Sequence, residues 1–256
     1  MLAGAAVLHL LPRLGAVGRR TAEACCAAPM LDVIITYFTI APLFVAPAVT
    51  RSVWGFVGAV VGQLAGLILW TILHELAHLR SFNGPRILVN INRKVGIVRN
   101  MLATYWTLLV VPLFWFVRLA EIFAYPVLNW LVELPPYRQA EWVRVSRHKF
   151  RGLVGHDMVW CLYCDWMTGV WSLGSEMLRN VESFWCPIRF DSSKKCANCA
   201  IDFPDINGGW ADANGTMGDV VAVLDEQYPP GQRPRAWFGH PVRVTVRGRE
   251  VVLNAE

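Results

Sequence analysis

From Val53 to Leu73 the chain runs twenty-one residues without a charge. Wound as a helix rising about 1.5 Å per residue, that stretch covers about 30 Å, the thickness of bilayer hydrocarbon. No other feature constrains the fold as much, and the composition agrees with it. Of 256 residues, 55% are hydrophobic and 17% charged, with mean hydropathy +0.37. Soluble domains carry about a quarter charged residues. Disordered and fibrous chains are excluded on the same ground, and no internal repeat, P-loop or dinucleotide fingerprint is present.

Further apolar runs surround this span. Leu31 to Thr50 is interrupted by Pro42 and Pro47. Met101 to Val117 is uncharged, and Arg118 joins it to Leu119–Glu133, where Glu121 is the one internal acid. The last two runs read as a helical hairpin or a broken helix, with Pro112 and Pro126 as candidate kinks. Three to four spans follow. Arg118 and Glu121, three apart, read as an ion pair within one helix. Gly58, Gly62 and Gly66 recur every four residues, a small-residue stripe that lets a neighbouring helix approach closely, within the chain, in another protein or in a second copy.

Basic residues exceed acidic ones by 24 to 19, a net charge of +5. They flank the apolar runs: Arg13, Arg19 and Arg20 before the first, Arg80 to Arg99 after the second, Arg138 to Arg151 after the last. That pattern speaks for positive-inside topology rather than nucleic-acid binding, with the N-terminus and everything after Pro135 cytoplasmic. Four regions are expected: an arm over 1–30, a membrane bundle over 31–135, a cytoplasmic cysteine-rich domain over 136–227, and a linker with a terminal β-hairpin over 228–256.

The second span ends in His74-Glu75-Leu76-Ala77-His78. Residues four apart share a helix face, so both imidazoles can reach one divalent ion, and Glu75 can polarise a metal-bound water as general base. This HExxH on a membrane helix resembles the membrane-embedded zinc metalloproteases, particularly the site-2 proteases. The resemblance covers about a tenth of the chain, with Gly84-Pro85 in the loop beyond as a compatible feature. It implies a zinc ion held by His74 and His78 and hydrolysis driven by Glu75. That family draws its third ligand from an Asn-Pro-x-x-Asp-Gly motif, which this sequence lacks. His156 is the expected third ligand here; His148 and Glu121 are the other candidates. All of them together would give a di-iron oxygenase arrangement.

Five cysteines form a second constellation: Cys161-x2-Cys164, Cys186, and Cys196-x2-Cys199. Paired thiolates in a reducing compartment suit structural zinc, with an iron–sulfur cluster as the alternative. Between the pairs, Asp165 to Phe184 has helical periodicity. Asp205 and Asn207 fit a calcium loop only in part, because Trp210 stands where glycine is needed.

The expected fold is therefore an α-helical integral membrane protein of three to four spans with a small cytoplasmic α+β cysteine-rich metal-binding domain. The expected function is zinc-dependent hydrolysis at the bilayer edge. The alternative is a non-catalytic subunit or assembly factor of a membrane complex, carrying zinc or an iron–sulfur cluster on its cysteines.

Overall fold

The computed structural model describes residues 2–192 and 209–227, together with the backbone of 242–246 and 249–253. The described helices are α1 (Leu2–Leu10), α2 (Gly15–Cys25), α3 (Met30–Thr39), α4 (Ala41–Thr50), α5 (Val53–Ala77), α6 (Leu79–Phe82), α7 (Ile87–Val95), α8 (Ile97–Trp106), α9 (Val111–Leu119), α10 (Tyr125–Val132), α11 (Gln139–Trp142), α12 (Gly155–Trp185) and α13 (Met217–Gln227). Strands β1 (Val242–Val246) and β2 (Arg249–Leu253) pair antiparallel, with Val242 opposite Leu253. The chain divides into two compact units, Met1–Trp115 with Arg138–Leu173, and Phe116–Tyr137 with Gly174–Glu256.

Two helical runs are long and apolar enough to cross a bilayer, α5 and Ile97–Val132; α3 and α4, bent by 47° at their junction, make a third if counted as one broken span. α5 exposes apolar side chains all round, from Val53 and Phe56 through Val61, Ile68 and Leu73. Water is a poor solvent for such a helix, and lipid a good one. Of the two readings of 101–133, hairpin or broken helix, the structure has the broken helix, one run. A 3₁₀ turn at Thr107–Val110 precedes Pro112, and a π turn at Ala120–Ala124 precedes Pro126. Each proline therefore sits in the first turn of the α segment that follows, where its missing N–H costs little. The run is 36 residues long. Straight, it would measure about 54 Å, well beyond the hydrocarbon core.

In the first unit, the α3–α4 break explains the one polar residue in the middle of α5. Pro42 has no N–H to offer Phe38 O, and Leu43 N bonds to Ile40 O instead of Thr39 O. Both stranded carbonyls accept from Gln63 Nε2, at 2.9 and 2.6 Å. The N-terminal arm is docked rather than free. Ala28 N donates to Val143 O at 3.0 Å, and Val145 N to Cys26 O at 2.8 Å. Trp166, almost fully buried, packs against Phe114 and Trp115.

The second unit contains the expected ion pair. Arg118 and Glu121 lie 2.6 Å apart and are 0% and 2% exposed. Gly174 faces them, its missing side chain leaving room for Val117 and Glu121. Buried Asn180 donates to the hydroxyls of Tyr125 and Tyr137, and Trp210 Nε1 to Ser183 Oγ. At the start of α13, Asp219 Oδ2 accepts from both the backbone N–H and the hydroxyl of Thr216, one half of a capping box.

The region expected to be α+β differs. α12 begins ten residues before the expected helix and contains Cys161 and Cys164. Among the described residues of 136–227 the β pairing is limited to the isolated bridges Ala27–Arg144 and Ile188–Ala211. The periodicity of Val159, Trp160, Leu162 and Tyr163 carries the helix through the Cys-x-x-Cys pair.

Replacing Gln63 with Leu should destabilise the protein in detergent by several kcal/mol, because two carbonyls lose their donor in an apolar setting. Gln63→Asn, with a shorter reach, should lie between the two, and thermal unfolding followed by circular dichroism measures all three.

Candidate functional site

The HExxH segment closes α5, with His78 already outside helical geometry at φ −126° and ψ 45°. Trp70, His74 and His78 stack along one face, with ring centroids 4.7 and 4.3 Å apart and interplanar angles of 27° and 23°. His9 of α1 closes the stack edge-on, 5.4 Å from His74 and 5.5 Å from His78. Burial, then Arg13 and His78, push the His9 imidazole below its ordinary value, so it is neutral at pH 7. Arg13 donates to its Nε2. His9 has no sequence signal, being a lone histidine in an apolar helix.

A shared metal ion would set a geometric condition on these rings. A ligand's lone pair lies in its ring plane, so the ion must lie in both planes. Planes inclined by 23° and offset by 4.3 Å meet about 10 Å away (4.3 Å divided by the tangent of 23°). A zinc-bound imidazole nitrogen lies about 2.1 Å from its ion. The tautomer of His74 agrees with this. His74 Nδ1 accepts from Gly155 N at 3.1 Å, which assigns the proton of the neutral ring to Nε2. His78 Nδ1 donates to His74 O at 2.9 Å. As arranged, the pair does not fit an ion held by both.

Glu75 is committed elsewhere. Its Oε1 accepts from Arg86 Nη2 at 2.7 Å and from His156 N at 3.2 Å. On its other side, Arg86 Nε donates to Asp157 Oδ2 at 2.9 Å. Asp157 also accepts from Ile87 N at 3.1 Å and Leu88 N at 3.0 Å, so it caps α7. Arg86 and Asp157 side chains are 4% and 5% exposed, Glu75 18%. The result is a buried clamp joining the end of α5 to the starts of α7 and α12. Gly155, at φ +53°, is required there, because a Cβ would collide with the Glu75 side chain. Burial favours the neutral form of Asp157, but the neighbouring His156 ring, Arg86 and Leu88 N–H outweigh it and hold its carboxyl below the usual range.

The other expected ligands are scattered. His156 meets the motif through its backbone. Its two ring nitrogens are buried without a hydrogen-bond partner among the described residues, and the ring lies beside Trp160. His148 Nε2 lies 3.8 Å from Cys26 Sγ; burial pushes that imidazole down and that thiol up, so the pair is neutral. Cys161 and Cys164 share a face of α12, and burial raises the Cys161 thiol. Cys186 follows the last helical residue, about six turns beyond Cys164. Cys196 and Cys199 lie outside the described residues, as does the partial calcium loop at Asp205 and Asn207. Among the described residues no three His, Cys, Asp or Glu side chains gather as a metal site.

No family model, curated protein or solved structure matches the chain.

Removing either Glu75 or Asp157 leaves Arg86 paired with the other carboxylate but strands a guanidinium donor and the backbone amides that the lost carboxylate served, which costs roughly 1–3 kcal/mol. A Glu75→Gln/Arg86→Gln double mutant should therefore lose much less than the sum of the single losses, a non-additivity read by a thermal-unfolding cycle. Because the Asp157 value is depressed in the folded protein, its contribution is complete above the unfolded value of about 3.9 and disappears as pH falls through the folded one. The acid limb of a stability–pH profile should flatten in Asp157→Asn.

Proposed function

We propose that the chain is a non-catalytic integral membrane component, a subunit or assembly factor of a membrane complex, in which the HExxH residues serve as a structural clamp. The Glu75–Arg86 contact at 2.7 Å carries this reading, because a carboxylate spent on a guanidinium braces a loop instead of activating water. The stacked, non-convergent rings of His74 and His78 support it. The proposed orientation, from the flanking arginines, places the N-terminus and the segment after Pro135 on the cytoplasmic side.

The docking face is the glycine stripe of α5. Side chains added at Gly58 or Gly62 would meet nothing within 4 Å. That open small-residue surface suits close approach of a partner helix, in another protein or in a second copy. Metal bound by Cys161-x2-Cys164 with Cys196-x2-Cys199 would belong to the same scaffold role.

Two measurements test the proposal. In native membranes the wild-type chain should migrate as part of an assembly larger than itself. Gly58→Leu/Gly62→Leu should fold normally and migrate as a free chain; an unchanged assembly in that variant sinks the docking face. In the second, purified protein given zinc is offered fluorogenic peptides. The clamp reading expects Glu75→Gln to lower the melting temperature and to leave the peptides uncleaved, as wild type does. Cleavage by wild type that vanishes in a normally folded Glu75→Gln variant restores the hydrolase.

A further inference from the structure

α7 is the most sharply two-sided helix of the first unit. At 100° per residue Ile87, Leu88, Ile91 and Val95 share one face, Arg93 lies opposite it beside Val89, and Asn90 and Lys94 flank it on one side. A soluble protein would bury the apolar face, yet Ile87, Ile91 and Val95 are 51%, 39% and 47% exposed. Ile97 and Val98, which follow directly, are more exposed still.

The covalent neighbours of α7 indicate what covers that face. It lies between α5 and the run beginning at Ile97, both candidate membrane spans, so both of its ends are tethered at the bilayer surface. The local charge has one sign. No Asp or Glu occurs between Glu75 and Glu121, whereas Arg80, Arg93, Lys94 and Arg99 are all exposed. Arg86 is the exception among the basic residues, being neutralised inside the clamp. Asp157 on the first two amides of α7 fixes where the helix leaves the clamp.

We infer that α7 is an interfacial helix, its Ile87–Ile91–Val95 face sunk among acyl chains and its Arg93, Lys94 and the adjacent Arg99 gripping the phosphates of anionic phospholipids. The apolar face supplies partitioning, and the long basic side chains reach from the helix flank to the headgroups. With no acid in the chain from 76 to 120, and with Asp157 and Glu75 engaged in the clamp, the basic residues select anionic over zwitterionic lipid. The inference is independent of whether the HExxH segment is structural or catalytic.

The full chain, reconstituted in vesicles of equal parts phosphatidylcholine and phosphatidylglycerol, tests both halves. After mild detergent extraction, the lipid that remains bound should be enriched several-fold in phosphatidylglycerol. Arg93→Gln/Lys94→Gln/Arg99→Gln, which changes only exposed side chains, should return that ratio to about one with an unchanged melting temperature. Equal retention by wild type and variant overturns headgroup selection. For the apolar half, a photoreactive benzoylphenylalanine placed at Ile91 should crosslink to lipid, while the same group at Asn90 should not. Crosslinking of position 91 to protein, or equal lipid labelling at both positions, overturns the interfacial placement.

Discussion

One guanidinium between two carboxylates holds the first unit in register. Arg86 is buried, and a buried cation is tolerated only when its charge and its donors are both answered. Glu75 and Asp157 answer them, and together they overcompensate by one negative charge. The excess is met by two helix starts: His156 N at the beginning of α12 donates to Glu75, and Ile87 N and Leu88 N at the beginning of α7 donate to Asp157. Those amides carry the positive ends of their helices, so the surplus sits where it stabilises. Each carboxylate thus has two duties, pairing with Arg86 and satisfying backbone donors. The same approach of α12 brings Gly155 N onto His74 and orients the histidine stack.

How far the sequence revealed this depends on the range of the interaction. The spans were legible because hydrocarbon imposes length and apolarity on a single contiguous segment. The Arg118–Glu121 pair was legible because three residues is one helical neighbour. The clamp was not, since Arg86 and Asp157 are 71 positions apart and neither lies in a periodic pattern. His9 was invisible for the same reason. Of the two readings of 101–133, hairpin or broken helix, the structure has the second. Local 3₁₀ and π turns place Pro112 and Pro126 in first turns of new helix segments, and the run continues. The Cys161-x-x-Cys164 spacing, read as half of a metal knuckle, is also i and i+3 of a helix, and the apolar residues around it decide for the helix.

The apolar segments obey a second constraint, that backbone groups without water must find partners inside the protein. The α3–α4 break is the place where this is hardest to meet. A donor is imported from another helix there, since the prolyl nitrogen cannot serve. Hydroxyls elsewhere turn back onto their own helices: Thr36 to Asp32 O, Thr39 to Ile35 O, Thr50 to Ala46 O and Thr71 to Leu67 O. A polar residue in an apolar helix is therefore first a question of which carbonyl or amide it completes, and Gln63 has a full answer without any ligand.

The same question separates a metal motif from a clamp at His74–His78. Spacing places two imidazoles on one face, but spacing does not set the ring planes or the protons. Here the rings lie face to face in a stack that begins at Trp70, and each Nδ1 is used within the protein, His74 as acceptor and His78 as donor. Convergence on one ion would require both rings to turn out of the stack and His74 to release Gly155 N. Glu75 would have to face the ion's water through Oε2, since Oε1 already holds Arg86 and His156 N. His74 Nδ1 and Glu75 Oε1 serve to join α5, α7 and α12, and that junction sets α7 at the end of a span with its apolar face outward.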